Sequence, residues 1–289
     1  MPRVTSQQLL WLARLLWLVA AILPNNLVDS LPQHSAALQN TMTAELWTLW
    51  AIVTIAMWVP HPISLTVARC IAPVIAVHIL VGIEDADSTT SAIASAICAL
   101  IACLIIFSSS FGESHAQAGA YGDEQRFLLR VPVSLLIPIG VAYLLLVMSV
   151  TFTPLWLVDR QWTLGGVGLV VGAALLWKVA PRMHQLSRRW LVFVPAGVVV
   201  HDPTMLSEVL MLRRGEIVSM ALAPADTQAI DLTGFTRGVP LQVQLHEMVD
   251  VRLTPFAARI LKTSDVLHVQ AFLVAPTRPM QVLTRFPRR

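Results

Sequence analysis

The sequence is poor in charged residues. Only 13% of its 289 residues are Asp, Glu, Lys or Arg, whereas an ordinary soluble domain has roughly 25%. Hydrophobic residues make up 56% of the chain. Such a chain has too few charged side chains to cover a surface that lies entirely in water, so the composition excludes a fully soluble protein and predicts a membrane protein.

Lysine and cysteine are also scarce. The chain has two lysines, Lys178 and Lys262. Chemistry that depends on lysine, such as a phosphate-binding loop or a Schiff base, is therefore limited to these two residues. The three cysteines, Cys70, Cys98 and Cys103, lie inside apolar runs, and an odd number cannot pair fully within one chain. We interpret them as small apolar residues.

Recognisable catalytic and metal-binding patterns are missing as well. No serine lies in a nucleophile-elbow pattern, and the eight histidines show no metal-ligand spacing. The segment at His246 and Glu247 lacks the second histidine of a zinc-protease motif. The sequence therefore predicts no catalytic residue, no metal site and no cofactor, and an enzyme ranks third among the functions considered.

Six apolar runs predict six transmembrane helices. They lie at residues 9–23, 45–59, 63–83, 91–107, 131–151 and 163–179. The shorter runs need flanking residues to cross a hydrocarbon core of about 30 Å. The first run resembles a signal peptide, but Arg14 interrupts it and no small-residue cleavage site follows, so we expect it to be retained. The predicted transmembrane domain covers residues 1–180.

A basic cluster follows the last apolar run. It consists of Lys178, Arg182, Arg188 and Arg189, and residues 181–189 form a basic juxtamembrane linker. Basic clusters beside membrane spans stay on the cytoplasmic side, and most acids of the membrane half fall in the predicted outer loops. The sequence thus predicts a multi-pass protein of the cell (inner) membrane with both termini in the cytoplasm.

After Trp190 the hydrophobic period changes to that of β-strands. Short alternating runs predict strands at 191–194, 198–201, 208–213, 216–222, 229–233, 241–246, 249–253 and 266–274, with a short helix at 278–286. Short strands closed by one helix are typical of a small barrel or sandwich. The predicted fold is therefore an α-helical polytopic membrane domain followed by a small β-rich cytoplasmic domain, residues 190–289.

Three segments carry a resemblance to known proteins. Residues 190–202, WLVFVPAGVVVHD, resemble the opening hairpin of bacterial pleckstrin-homology-like domains. Together with 121–127, YGDEQRF, and 223–227, APADT, they resemble an uncharacterised group of actinobacterial integral membrane proteins. The resemblance extends from residue 121 to the end. It implies a membrane domain joined to a pleckstrin-homology-like domain, and it implies nothing catalytic.

Arg14 and Arg69 lie inside predicted spans, and His78 is the other titratable group inside a span apart from the cysteines and Tyr143. A charge near the middle of a bilayer costs on the order of 2.5–3.5 kcal/mol on insertion scales. Both arginines lie near the predicted cytoplasmic ends of their spans and are able to reach toward that surface. Alternatively, the three residues line a path for an anionic substrate or lipid. No carboxylate lies in the middle of a predicted span, which weighs against ion-coupled transport.

The sixth apolar run contains closely spaced glycines. Residues 166–172 mimic a dinucleotide-binding glycine run, but the strand-turn-helix context is missing. Gly168 and Gly172 are better explained as a helix-packing face. The partner of that face is another span of this chain or a second copy.

The charge of the tail suggests what it contacts. Residues 178–289 hold fourteen Lys and Arg against eight acids, and Arg213 and Arg214 occupy a predicted hairpin turn. With the linker arginines they form a candidate membrane-surface patch. We expect a scaffold or interaction protein whose cytoplasmic domain engages a protein partner or the anionic inner leaflet. The alternative is a cell-envelope transporter or lipid-handling protein. Membrane lipids, a membrane-protein partner or a second copy are the expected partners, and nucleic acid is not.

Overall fold

The structure, a computed structural model, describes residues 6–23, 36–81, 83 and 89–286. Most of the predicted outer segments, 25–35 and 84–88, lie outside the described residues. The chain forms two compact units: residues 1–115 with 140–183, called the helical unit below, and residues 116–139 with 184–289, called the β-rich unit.

Except for α5, which lies in the predicted loop between the fourth and fifth runs, the helices of the first half cover the apolar runs of the sequence. They are α1 (Ser6–Ile22), α2 (Ala36–Trp58), α3 (Pro62–Val81), α4 (Thr89–Phe107), α5 (Ser109–Gln117), α6 (Val133–Val158) and α7 (Trp162–Ser187). Four of the described helices, α3, α4, α6 and α7, are long and apolar enough to cross a membrane. The helix α1 is apolar but shorter, and the predicted second span lies on α2.

Small residues form the contacts inside the helical unit. Ala68, Ala72 and Ala76 repeat at helical spacing on α3, and each is at least 95% buried. Ala99 and Ala102 of α4 are fully buried in the same core. Small side chains let helix backbones approach closely where lipid supplies no hydrophobic drive between helices.

The β-rich unit contains two four-stranded sheets. The first has the antiparallel order β1 (Gln125–Leu128), β2 (Trp190–Val194), β3 (Gly197–His201) and β4 (Leu210–Arg213). The second contains β5 (Ile217–Leu222), β6 (Ile230–Asp231), β7 (Leu241–Arg252) and β8 (Val266–Val274), in the order β5-β7-β8-β6. Side chains of both sheets form one core, which includes Leu191, Leu212 and Phe272. Two short helices complete the unit, α8 (Pro255–Leu261) and α9 (Pro279–Arg285).

The predicted order of a helical membrane half followed by a β-rich part with a final helix is confirmed. Several details differ. The helix α7 continues through the predicted linker to Ser187, with Pro181 inside it. The predicted strands at 241–246 and 249–253 form one strand, β7, with a register shift against β8 between Gln244 and Val249.

The strand β1 comes from a segment that the sequence placed in a loop between two spans. It pairs with β2 from Gln125 opposite Phe193 to Leu128 opposite Trp190. Leu128 packs with Ala116, Trp190 and Val192, and Phe127 joins the main core. The β-rich unit is therefore built from two separate stretches of the chain.

Candidate functional site

Arg14 binds the end of a neighbouring helix. Its Nε and Nη2 atoms donate hydrogen bonds of 3.1 and 2.9 Å to the carbonyl oxygen of Met57, in the last turn of α2. The guanidinium carbon lies 5.1 Å from the ring centroid of Trp11 and 4.6 Å from that of Trp58, so the cation contacts both rings, which meet edge to face. Both contacts stabilise a guanidinium group.

The sequence explains why α2 needs this partner. The last carbonyl groups of a helix have no intrahelical donor, and Pro60 has no N–H to offer to the carbonyl of Ala56. The Nε2 atom of His115 lies 3.3 Å from that oxygen. Arg14 thus donates to one carbonyl at this helix end, where the helix dipole also favours a cation, and His115 lies within hydrogen-bonding distance of the adjacent carbonyl.

Arg69 repeats the arrangement at α4. Its Nε atom donates to the carbonyl oxygen of Ile106 at 3.2 Å, and its Nη2 atom donates to that of Ser108 at 3.4 Å. The guanidinium carbon lies 5.8 Å from the ring centroid of Phe107, the last residue of α4. The two arginines that the sequence singled out inside spans therefore share one role, the capping of helix ends.

His78 is not brought together with the arginines. Its Nδ1 atom lies 2.9 Å from the carbonyl oxygen of Val74, one turn earlier in α3. Nine residues separate it from Arg69 on the same helix, a distance of about 13 Å along the axis. The structure thus gives His78 a local helix contact.

Glu45 is a residue that the sequence analysis misplaced. The predicted second span began at position 45, but α2 begins at Ala36, so Glu45 lies well inside the helix and is partly buried. Residues 39–43 are mostly polar, so hydropathy gave no sign that the helix begins before position 45. The prediction that no carboxylate lies in the middle of a span stays a prediction, since α2 is not one of the four described helices that are long and apolar enough to cross a membrane.

The glycines of α7 pack against α6. The Oγ atom of Ser149 donates a 2.6 Å hydrogen bond to the carbonyl oxygen of Gly168. A β-carbon at Gly172 would lie 2.5 Å from the Ser149 hydroxyl, and one at Gly168 would overlap the hydroxyl of Thr153. Gly168 and Gly172 are thus part of a close helix contact within the chain.

Arg189 is buried, contrary to its assignment to a membrane-surface patch. It is 1% exposed, and its Nε and Nη2 atoms donate to the two carboxylate oxygens of Asp202 at 2.7 and 2.6 Å. Its Nη1 atom donates to the carbonyl oxygen of Arg130. The burial follows from pairing, because a bidentate carboxylate partner compensates the charge. Lys178, Arg182 and Arg188, in contrast, are exposed.

Arg213 and Arg214 are exposed as predicted, but they do not form a hairpin turn. Residues Arg214–Glu216 form a 3-10 turn that leads from β4 in the first sheet to β5 in the second. Glu216 stabilises this turn, since its Oε2 atom accepts a 2.9 Å hydrogen bond from the backbone N–H of Arg213.

One face of β4 combines apolar and basic side chains. Leu210 and Leu212 point into the core, so Met211 and Arg213 share the opposite face, and Val209 precedes them on that side. Val209 is 54% exposed and Met211 56%. We call Val209, Met211 and Arg213 the β4 outer face.

A polar cluster holds the 116–132 segment against β2 within the β-rich unit. The Nε atom of Arg126 donates to Glu124 at 2.7 Å, and its guanidinium carbon lies 4.6 Å from the ring centroid of Trp190. The hydrogen bond from Arg126 lowers the pKa of Glu124 below its ordinary value. The side chain of Gln117 accepts from the backbone N–H of Arg126 at 2.9 Å. The sequence analysis gave these residues no structural role.

Within the described part of the chain, no group of three or more His, Cys, Asp or Glu side chains is arranged to hold a metal ion. Comparison with known proteins found no matching family model, no similar curated protein and no similar solved structure. The chemistry of the described side chains therefore carries the functional argument.

Proposed function

We propose that the chain is an integral membrane interaction protein with six spans, whose cytoplasmic, pleckstrin-homology-like β-rich unit contacts the anionic inner leaflet. The observation that carries this proposal is the β4 outer face, where an exposed arginine stands beside exposed apolar side chains. Arginine binds lipid phosphates, while methionine and valine side chains fit the adjoining boundary of the acyl chains.

The six-span arrangement adds α1 and α2 to the four long apolar helices. The pairing of β1 with β2 supports an even number of crossings between them, because hydrogen-bonded strands must lie on the same side of a membrane. In this arrangement α6 and α7 both cross the membrane, in opposite directions. The exposed basic residues Lys178, Arg182 and Arg188 favour the cytoplasmic side for the β-rich unit.

Chain connectivity keeps the β-rich unit near the leaflet. The helix α7 ends at Ser187 and β2 begins at Trp190, so a very short connection joins the last span to the first sheet. Tethering of this kind gives a high effective concentration of the unit at the membrane surface. A weak contact of about 1 kcal/mol per basic residue is then sufficient to orient the unit.

The structure favours this function over a transport path through Arg14 and Arg69, since both guanidinium groups donate to helix-end carbonyls. Glu45 supports the second candidate, a transporter or lipid-handling protein. A carboxylate inside an apolar helix is a recognised position for an ion-binding group. Exchange of Glu45 for Gln in a flux or lipid-transfer assay on reconstituted protein tests that alternative.

The leaflet proposal predicts a lipid-dependent position of the β4 outer face. In full-length protein freed of its native cysteines, an environment-sensitive fluorophore is attached to a cysteine at Met211, and the protein is placed in nanodiscs. Its emission is expected to shift to the blue in anionic nanodiscs relative to zwitterionic ones. Arg213→Gln is expected to lower the ratio of membrane-bound to free unit about fivefold, the equivalent of about 1 kcal/mol.

The matched control is Arg259→Gln, which removes an exposed arginine of α8 from the same unit. It is expected to leave the emission unchanged. If the emission is the same in anionic and zwitterionic nanodiscs, or changes equally with Arg213→Gln and Arg259→Gln, the β4 outer face does not contact the leaflet.

A further inference from the structure

A cavity of about 250 Å³ opens on the surface of the β-rich unit. Strand β1 and the loop before it, the β2–β3 hairpin, the 3-10 turn and the end of α9 all contribute to its wall. The side chains that define its chemistry are Asp123, Gln125, Phe193, Arg214, Arg285 and Phe286. Its volume lies just below the roughly 300–1,000 Å³ of pockets that hold drug-sized ligands, so it suits a smaller molecule.

Two phenylalanine rings form an apolar wall of the cavity. The ring centroids of Phe193 and Phe286 are 6.4 Å apart. Phe193 also meets Phe127 of β1 edge to face, with centroids 5.4 Å apart, and both Phe193 and Phe286 pack against the main core. The core therefore holds these rings in place, and the wall is formed before any ligand enters.

Two cations reach the cavity from separate elements. Arg214 belongs to the 3-10 turn and Arg285 is the last residue of α9. Among the described residues, neither guanidinium group has an ion-pair partner, whereas Arg126, Arg189 and Arg252 are each paired with a carboxylate. Asp123 is the one acid that lines the cavity. The cavity thus offers two uncommitted guanidinium groups beside a preformed apolar surface.

We propose that this cavity binds a small phosphate ester. Guanidinium groups match the geometry of phosphate oxygens and form strong charge-assisted hydrogen bonds with them. The phenylalanine wall accepts an apolar or aromatic body, and the Asp123 carboxylate accepts a hydrogen bond from a hydroxyl group of the ligand. The proposal goes beyond leaflet contact, which uses Arg213 and the β4 outer face, and it does not depend on that contact.

The test uses full-length protein in zwitterionic nanodiscs and phenyl phosphate as the probe, with binding measured by calorimetry. Phenyl phosphate is expected to bind, and phenol, which lacks the charge, is expected to bind at least tenfold more weakly. Arg214→Gln and Arg285→Gln are each expected to weaken phenyl phosphate binding about tenfold, since each removes charge-assisted hydrogen bonds to the phosphate. Arg259→Gln is expected to have no effect.

Both cavity arginines are exposed and take part in no described ion pair, so the substitutions are expected to leave the circular dichroism spectrum unchanged. Absence of phenyl phosphate binding, equal binding of phenol, or binding that survives both substitutions would overturn the proposal. The leaflet experiment measures fluorescence at position 211 and uses the variant Arg213→Gln, whereas the cavity experiment uses Arg214→Gln and Arg285→Gln. Either proposal can therefore fail while the other stands.

A second arm identifies the source of the phosphate. The titration is repeated in nanodiscs that contain phosphatidic acid, a phosphate monoester, and in nanodiscs that contain phosphatidylserine at matched surface charge. Competition by phosphatidic acid alone supports the proposal with a lipid headgroup as the ligand. Equal phenyl phosphate affinity in all three membranes supports it with a soluble ester. Equal competition by both anionic lipids would mean that the cavity senses only charge, and would overturn it.

Discussion

Asp202→Asn is expected to destabilise the β-rich unit by about 3–5 kcal/mol, the cost of leaving a buried charge without its partner. The carboxylate of Asp202 accepts two hydrogen bonds from Arg189, and both side chains are almost fully buried. An asparagine would present an amide N–H₂ group to a guanidinium donor. Hydrogen–deuterium exchange of β2 and β3 in the full-length protein is the measurement. Protection is expected to fall by roughly two to four orders of magnitude.

The matched control is Glu208→Gln, which breaks the exposed pair between Glu208 and Arg252. An exposed pair contributes about 0–1 kcal/mol, so exchange is expected to change little. The double variant Arg189→Met with Asp202→Leu removes both charges and is expected to be more stable than either single variant. Equal exchange in Asp202→Asn and Glu208→Gln would show that the buried pair does not hold the first sheet together.

Arg14→Met is expected to destabilise the helical unit by roughly 2–4 kcal/mol, because the carbonyl of Met57 loses two charge-assisted hydrogen bonds at an apolar helix end. The change also removes the contacts of the cation with the rings of Trp11 and Trp58. Arg14→Lys is expected to recover part of the loss, since an ammonium group keeps the charge but not the bidentate geometry. Thermal unfolding of the full-length protein in one detergent measures the effect.

Arg160→Gln is the control for Arg14. Arg160 is exposed in the turn between α6 and α7, and among the described residues its side chain has no hydrogen-bond partner. Its replacement is expected to leave the unfolding temperature unchanged. If the Arg14→Met and Arg160→Gln proteins unfold at the same temperature, Arg14 is not a helix cap, and the hypothesis of an anion path regains its main residue.

Most of the correct predictions from the sequence rest on hydropathy and on the period at which apolar residues recur. Long apolar runs were sufficient to locate α3, α4, α6 and α7, because a helix that faces lipid must be apolar over most of its length. The period of two in the tail located β2, β3, β5 and β8, since one face of each strand is buried in a shared core. These signals are local, and local signals are visible in a single sequence.

The failures arose where a distant partner decides the structure. Arg189 lies in a basic cluster, and its burial depends on Asp202, the residue that follows β3. The strand β1 has only four residues and is fixed by pairing with β2, which lies beyond two long helices in the chain. The helix α8, in contrast, carried a local signal that was overlooked. Thr254 caps it by accepting a hydrogen bond from the N–H of Ala257, and Pro255 follows at its first position.

The candidate cavity could not be predicted from the sequence for the same reason. Arg214 was recognised as an exposed basic residue, but Arg285 and Phe286 reach the same wall from the end of α9, and Asp123 from the segment before β1. Residues so far apart in the chain carry no shared spacing that a motif search detects. The aromatic pair of Phe193 and Phe286 likewise exists only after the strands and the last helix have assembled.

The origin of β1 imposes an order on biosynthesis. The ribosome releases Gln125–Leu128 before α6 and α7, and its partner strand Trp190–Val194 only after them. The unpaired segment must therefore wait while two more helices enter the bilayer. In the proposed six-span arrangement, insertion of only one of these helices would place β1 and β2 on opposite sides of the membrane, and the first sheet would lack its edge strand. Under the proposed topology, completion of the first sheet would depend on insertion of both helices, and a misinserted chain would expose an unpaired strand edge.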